Sequence, residues 1–229
     1  MTDATPSRFD DYLDVFVAPS RLFERRSDGK FGQALLVFVI AAAVLFFATK
    51  TAMQPIMDAE FARSMAKNPN VTPEMMEQGK KFQGIGAAIF ILVGSPIVIL
   101  LLGVVIWIAA KLVGKSLNYS QGATIATFAM FPRLVDGIAN AVQALLMDEA
   151  SLTSRYKVSL GVGRFLDPDS GVLIALAGRL DVFTLWITAL VAIGIKVMTK
   201  ATTGQAAAAA AFVWLVGALP VLLQALLAG

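Results

Sequence analysis

Five long apolar segments, separated by shorter stretches that carry most of the charge, set the pattern of this chain. They run over residues about 32–53, 85–110, 121–147, 181–198 and 204–228. About 20 apolar residues in an α-helix cross a ~30 Å hydrocarbon core, so each is long enough to span a bilayer or nearly so. Ahead of the first, Phe9, Tyr12, Leu13 and Phe16 recur at i, i+3, i+4 and i+7 and predict one apolar face of a short helix. Ser7 is its expected N-cap, and Pro19 ends it and opens a second turn at Ser20-Arg21-Leu22-Phe23. Residues 171–179 are apolar but too few to span, which predicts an interfacial helix before the fourth span. The expected fold class is all-α: a polytopic membrane helix bundle with five transmembrane helices, an N-terminal amphipathic helix and that interfacial helix. The expected division is an amphipathic cytoplasmic segment over 1–31 and a five-helix transmembrane domain over 32–229.

Breaks inside this pattern are marked by Pro and Gly. Residues 54–84 are polar and rich in Met, and predict short helices outside the bilayer. Asn68-Pro69-Asn70 is a break there, and Thr72-Pro73-Glu74 reads as N-cap, N1 proline and first-turn acid. Gly94-Ser95-Pro96 predicts a kink in the second span, Pro132 lies near the middle of the third, and Pro220 interrupts the fifth. Lys50 falls in the last turn of the first span, where it can snorkel outward, and Trp107 suits an interfacial ring. Ala206 to Ala211 opens the fifth span with side chains small enough for close helix contact.

Composition strengthens the membrane reading. The chain is 57% hydrophobic and 15% charged, with a mean hydropathy of +0.73, against roughly 25% charged residues in soluble domains. A net charge of +3 is too small to imply nucleic acid. There is no Cys and no His, which removes disulfides, thiol nucleophiles, Cys/His zinc sites, His-ligated haem and Ser-His-Asp chemistry. No cofactor is expected. The first apolar run follows about 30 polar residues and reads as a retained anchor. Lys and Arg are in slight excess in the N-terminal stretch and the links after spans two and four, and those two links are free of acids. By the positive-inside rule this places the N-terminus in the cytoplasm and the C-terminus outside a cell (inner) membrane. Arg21, Arg25, Arg26 and Lys30 crowd before the first span as candidate contacts to anionic headgroups.

Four charges fall near the core of the apolar part of the chain: Arg133 and Asp136, then Arg179 and Asp181. Charge inside hydrocarbon survives when paired or wetted. Arg133 and Asp136 stand at i, i+3, within reach on one helix face. One reading is a pair lining a polar cavity for an ion, proton or anionic headgroup. The other is an internal pair that fixes helix register beside the gap left by Pro132. Gln121, Thr124, Thr127, Asn140 and Gln143 could extend a polar stripe. Arg179 and Asp181 are read as interfacial, with Asp181 as the N-cap of the fourth span, and as members of a cross-helix network with the first pair. Weaker patterns carry little. Gly114-Lys115-Ser116 lacks the upstream Gly of a phosphate-binding loop, so no nucleotide is expected. Asp167-x-Asp169-x-Gly171 lacks the closing acid of a calcium loop, and helix capping by Asp169 or Ser170 is expected instead. Asn70-Val71-Thr72 and Asn118-Tyr119-Ser120 match glycosylation acceptors by pattern alone.

Three stretches taken together carry a family resemblance: Ala18-Pro19-Ser20-Arg21-Leu22-Phe23 before the first span; Ser120-Gln121-Gly122-Ala123 leading to Phe131-Pro132; and Leu180-Asp181-Val182-Phe183-Thr184-Leu185-Trp186 followed by Ala192-Ile193-Gly194-Ile195. The chain resembles the bacterial branch of the Rab/Ypt-interacting (Yip) protein family over residues about 10–225. The resemblance implies a five-helix membrane domain with a cytosolic N-terminus. Eukaryotic members resemble trafficking factors that bind prenylated small GTPases; their long acidic N-terminal domain has no counterpart in residues 1–31, and GTPase binding is not carried across. The expected role is a non-enzymatic scaffold or adaptor that organises membrane lipids or a protein partner, which includes a homo-oligomer. The runner-up is a small transporter or channel subunit using Arg133 and Asp136.

Overall fold

A computed structural model describes residues 9–66 and 71–227. The expected Ser7 cap, the Asn68-Pro69-Asn70 break and the end of the fifth span at residue 228 lie outside them. The helices are α1 Asp10–Val17, α2 Pro19–Arg25, α3 Gly32–Ala66, α4 Pro73–Ile89, α5 Ser95–Leu112, α6 Tyr119–Ala129, α7 Pro132–Leu146, α8 Val172–Ala177, α9 Val182–Thr199, α10 Thr203–Val216 and α11 Leu219–Leu227, with a π-helical segment Phe90–Gly94 between α4 and α5. Among the described residues the only β pairing is a single bridge between Gly161 and Asp181. Five helical stretches are long and apolar enough to cross a membrane: Gly32–Ala66, Glu74–Leu112, Tyr119–Leu146, Val182–Thr199 and Thr203–Leu226. Leu36, Ile40, Val44 and Phe47 are exposed along one side of α3, a stripe that costs nothing against acyl chains and would be a liability in water. The protein is an all-α, multi-pass membrane helix bundle.

The first two spans are longer than the apolar pattern indicates. α3 continues past Lys50 through Pro55 to Ala66, and its 35 residues cover about 52 Å, well over a ~30 Å core. Lys50 is therefore mid-helix and not in a last turn. Residues 54–66 and 73–84 of the polar stretch extend the two spans as helix instead of forming separate short helices, because Met, Ala, Glu, Gln and Lys are good helix formers whatever surrounds them. Thr72 caps α4 as expected, its hydroxyl accepting from Met75 N–H at 3.3 Å with proline next in line. At Gly94-Ser95-Pro96 the helix is not broken. The π turn absorbs the missing proline donor, and Ser95 donates its hydroxyl back to the Ile91 carbonyl at 2.5 Å. The third span does break, at Met130–Phe131, so Pro132 begins α7 where its lost N–H has no cost. The fifth breaks at Gly217–Ala218, two residues before Pro220.

The chain divides into two compact units. Among the described residues the first comprises 9–36, 98–132 and 186–216. In it, Asp11, 3% exposed, is clasped by Arg25 and Arg26, and Arg25 also donates to Asp14 at 2.7 Å. Tyr12 meets Phe131 in a tilted ring contact at 5.5 Å and Phe16 meets Trp186 edge-on at 5.7 Å. The predicted apolar face of α1 is thus split: Tyr12 and Phe16 pack inward, whereas Phe9, Leu13 and Val17 form an exposed stripe. A capping box of Asn118 and Gln121 opens α6, and Gln121 reaches on to the Ser27 carbonyl at 2.9 Å. Gly122 lies against the Gly103 backbone, closer than any Cβ would allow. Ala206, Ala209 and Ala210 are buried while Ala207 and Ala208 are exposed, so half of the alanine run serves packing. Lys111 sits 3.9 Å over the Trp107 ring. The α5 and α9 ends close with residues in the left-handed region, Gly114 (φ 73°) and Lys200 (φ 53°). The Lys115 and Ala201 amides there return to the carbonyls of Ala110 and Lys196.

Among the described residues the second unit comprises 37–66, 71–97, 133–185 and 217–227. Ile56, Ala144, Leu152 and Val158 form its small apolar core, flanked by Met53 and Met147. Gln83 fastens α4 to α3 through the Met57 carbonyl at 2.6 Å, and Gln143 fastens α7 to the 147–171 connection through the Val158 carbonyl at 3.0 Å. Arg63 reaches the same connection at Asp169 (3.1 Å) and the Thr153 carbonyl (2.8 Å). Contrary to the expectation from sequence, neither Asp169 nor Ser170 caps α8; the N-cap is Gly171 at φ 57°, and the Asp167 side chain forms a local turn by accepting from Asp169 N–H. A carboxylate engaged by Arg63 is not available to the helix.

Candidate functional site

The break before Pro132 puts Arg133 in the first turn of α7, where the helix dipole disfavours a cation. Acids offset this. Asp136, one turn on, accepts from Arg133 Nη1 at 2.8 Å through Oδ2, and its Oδ1 accepts from Asn140 Nδ2 at 3.0 Å. Asp181 caps α9: its Oδ1 accepts from the Phe183 and Thr184 amides at 3.0 and 2.9 Å. It is fixed there by the Gly161 bridge, in which Val162 N–H donates to the Leu180 carbonyl and Val182 N–H to the Leu160 carbonyl. A Cβ on Gly161 would stand 2.7 Å from the Asp181 Cβ, so glycine makes that pairing fit.

Arg133 links the two helix starts. Its Nη2 donates to the Thr184 hydroxyl at 2.7 Å and its Nη1 lies 3.7 Å from Asp181 Oδ1. The Arg133 side chain is one-third exposed, Asp136 and Asp181 much less. These residues line an open cleft of about 270 Å³, together with Arg155, Tyr156 and Arg179. Burial first, and the neighbouring Arg133 second, lower the hold of the Arg179 guanidinium on its proton; Asp181 partly offsets both. Arg155 stays firmly protonated: burial opposes its charge, but the hydrogen bond to the Tyr156 hydroxyl (3.2 Å), with Tyr156 and Glu60 nearby, outweighs that.

The structure thus gathers Arg133, Asp136, Arg179 and Asp181 about one cleft. The polar stripe does not continue along α6. Thr124 and Thr127 are fully buried and donate to carbonyls four residues back in their own helix. Gln121 and Gln143 serve the cap and the loop, and Asn140 alone of that set joins the cluster. The N-terminal basic residues divide. Arg25 and Arg26 are taken up by Asp11 and Asp14, whereas Arg21 and Lys30 remain mostly exposed, at 3.9 Å from Asp14 and 3.0 Å from Asp28.

Thr184, Gly161, Arg155 and Tyr156 are members of the site that the linear pattern does not single out. Thr184 had a signal, since it stands three residues after a capping Asp. The others depend on pairing between distant stretches. Comparison with curated proteins and with solved structures finds no match. The Yip1 domain family matches residues 13–224, nearly the whole chain, and the chain belongs to that family.

Proposed function

We propose that this protein is a non-enzymatic scaffold or adaptor, in the bacterial branch of its family, that organises lipid or partner proteins in the inner membrane. The observation that carries this reading is the anchoring of α1. Charge clamps from Arg25 and Arg26 and ring contacts from Tyr12 and Phe16 hold it in place while Phe9, Leu13 and Val17 face outward. A helix so fixed is a platform, with Arg21 and Lys30 available to anionic headgroups. The N-terminus is cytoplasmic and the C-terminus outside, following the basic links at Lys111–Lys115 and Lys196–Lys200.

Helix length supports a shallow position for the charged cluster. α9 rises about 27 Å from its cap over 18 residues, nearly the whole ~30 Å core. Asp181 therefore belongs near the outer boundary, and Arg133 bonded to its first turn sits at a similar depth. One observation favours the second reading, a small transporter or channel subunit: the cleft reaches Arg133 and Asp136. The buried, back-bonded threonines of α6 offer it no polar continuation.

Nanodisc pull-down separates the two. A stoichiometric partner that survives Arg133→Leu and is lost with Leu13→Glu supports the adaptor. Solute or proton flux in liposomes that Arg133→Leu abolishes supports transport instead. Orientation is read in intact cells with an impermeant maleimide, because the chain has no native cysteine. Asp148→Cys should label and Lys200→Cys should not; the reverse overturns the topology.

A further inference from the structure

The bridge that fixes Asp181 has two faces, because side chains alternate across paired extended backbone. On one face a Cβ at Gly161 would meet the Asp181 Cβ, and Asp181, 7% exposed, turns there toward Arg133. The neighbours of this pair point the other way, with Leu160 opposite Val182 and Val162 opposite Leu180. Exposure follows the alternation: these four lie between 39 and 54%. Four aliphatic side chains thus back onto a buried carboxylate. The patch runs on into α9, where Leu185, one turn beyond Val182 on the same helix face, is also exposed. α9 is one of the five spans, so the patch adjoins the lipid-facing surface of a membrane helix. The backbone here is paired without recourse to water at several points. Val162 and Val182 N–H close the bridge, and Arg164 and Leu166 N–H return to the Gly161 and Gly163 carbonyls at 3.4 and 3.2 Å. The Lys157 ammonium donates to the Arg164 and Leu166 carbonyls at 3.2 and 3.4 Å. Irregular backbone leaves water only when its polar groups find such partners. Between those two carbonyls Phe165 is 81% exposed, with the Arg164 guanidinium 5.8 Å from its ring.

We propose that residues 160–166 insert into the leaflet at the start of α9, with Leu160, Val162, Leu180 and Val182 against acyl chains and Phe165 as an anchor at the headgroup boundary. On the orientation given above this is the outer leaflet. In water a patch of this kind beside an exposed Phe is a liability; against hydrocarbon it is not. Its continuity with the exposed face of a span selects lipid as the occupant, and Arg164, next to the anchor, has a stem long enough to carry its charge out to the headgroups. The inference goes beyond the adaptor reading and does not rest on it. It makes part of the 147–171 connection a membrane element in place of a solvent loop. Lipid on the outward face then holds the bridge, and the bridge holds Asp181 against Arg133.

The test is depth-dependent quenching of the full chain in phosphatidylcholine nanodiscs. The absence of native cysteine lets an environment-sensitive fluorophore be placed singly, at Val162→Cys, at Phe165→Cys and, as the water reference, at Ala62→Cys. Ala62 is exposed in the part of α3 whose length carries it clear of the core. A phospholipid spin-labelled high on its acyl chain should quench the probes at 162 and 165 several-fold more than an aqueous nickel chelate does, and the order should reverse at 62. Quenching by the chelate at 162 and 165 as strong as at 62 overturns the proposal. Shielding from both quenchers, with cross-linking between two Val162→Cys chains in one disc, identifies a second copy as the occupant and overturns the lipid assignment. Photolabelling of the unmutated protein needs no variant to fold. Phosphatidylcholine bearing a diazirine high on one acyl chain should leave adducts on residues 160–166 as well as on Leu185. Adducts on Leu185 with none on 160–166 overturn the proposal by themselves. Partner capture in the pull-down above is independent of these results, so the two readings fail separately.

Discussion

Arg133 and Asp181 meet across the starts of two helices, with Nη1 3.7 Å from Oδ1, while the same Asp181 oxygen closes the first turn of α9. One carboxylate oxygen thus ends a helix and faces a cation 48 residues away in sequence. Three perturbations follow from this and from the packing of α1.

Replacing Arg133 with Leu leaves Asp136 and Asp181 sharing a cleft without their common cation. Losing one partner of a buried pair costs about 3–5 kcal/mol, and the one-third exposure of Arg133 reduces this to about 2–3 kcal/mol. Arg179→Leu should cost under about 1 kcal/mol, because burial and Arg133 already oppose its charge. Thermal unfolding in mild detergent compares them. Equal, negligible shifts in both variants would show that no network joins the two helices.

Asp181 has a cap and a charge that can be separated. Asp181→Asn keeps an oxygen for the Phe183 and Thr184 amides; Asp181→Ala removes it, at about 1 kcal/mol. Hydrogen exchange at those two amides should accelerate in the Ala variant and stay near wild type in the Asn variant. If Asn exchanges as fast as Ala, charge and not capping holds the turn.

Tyr12 titrates late. Burial raises its phenol above the ordinary value; Arg26 pulls it down and Asp11 pushes it up, each by less. A raised folded value favours the protonated form. Its stabilising contribution is therefore intact below pH about 10 and fades as pH climbs through the higher folded value. Ultraviolet titration of the protein should show a late-titrating component, and Tyr12→Phe should remove it. Its persistence in that variant would assign the late component elsewhere.

The spans were legible because five apolar stretches leave little choice of solvent, and the cap of α4 because Thr72-Pro73-Glu74 acts locally. The four charges of the cleft were visible for the same reason: ionised groups stand out against hydrocarbon. Helix length was not legible, since residues 54–66 are polar yet good helix formers, and polarity alone read as a boundary. The split of the α1 face escaped because Tyr12 and Leu13 are both apolar at adjoining helical positions. Only the aromatic partners Phe128, Phe131 and Trp186, far along the chain, decide which turns inward. Gly161 and Tyr156 were silent for a similar cause, as their roles exist only once a loop has closed on the start of α9.

The π segment Phe90–Gly94 makes the second span tolerant of one change in length. An α-helix advances about 100° per residue, and a π turn holds one residue more than an α turn. Deleting a single residue there restores ordinary winding and leaves the side chains of α4 facing as before, so Gly79 still meets Phe61 and Gly84 still meets Lys50. The same deletion in the ordinary α turn after Gly84 would swivel the preceding residues by about 100° and lose both contacts. An evolutionary deletion that is absorbed at this one point would exchange one surface for another a single turn away.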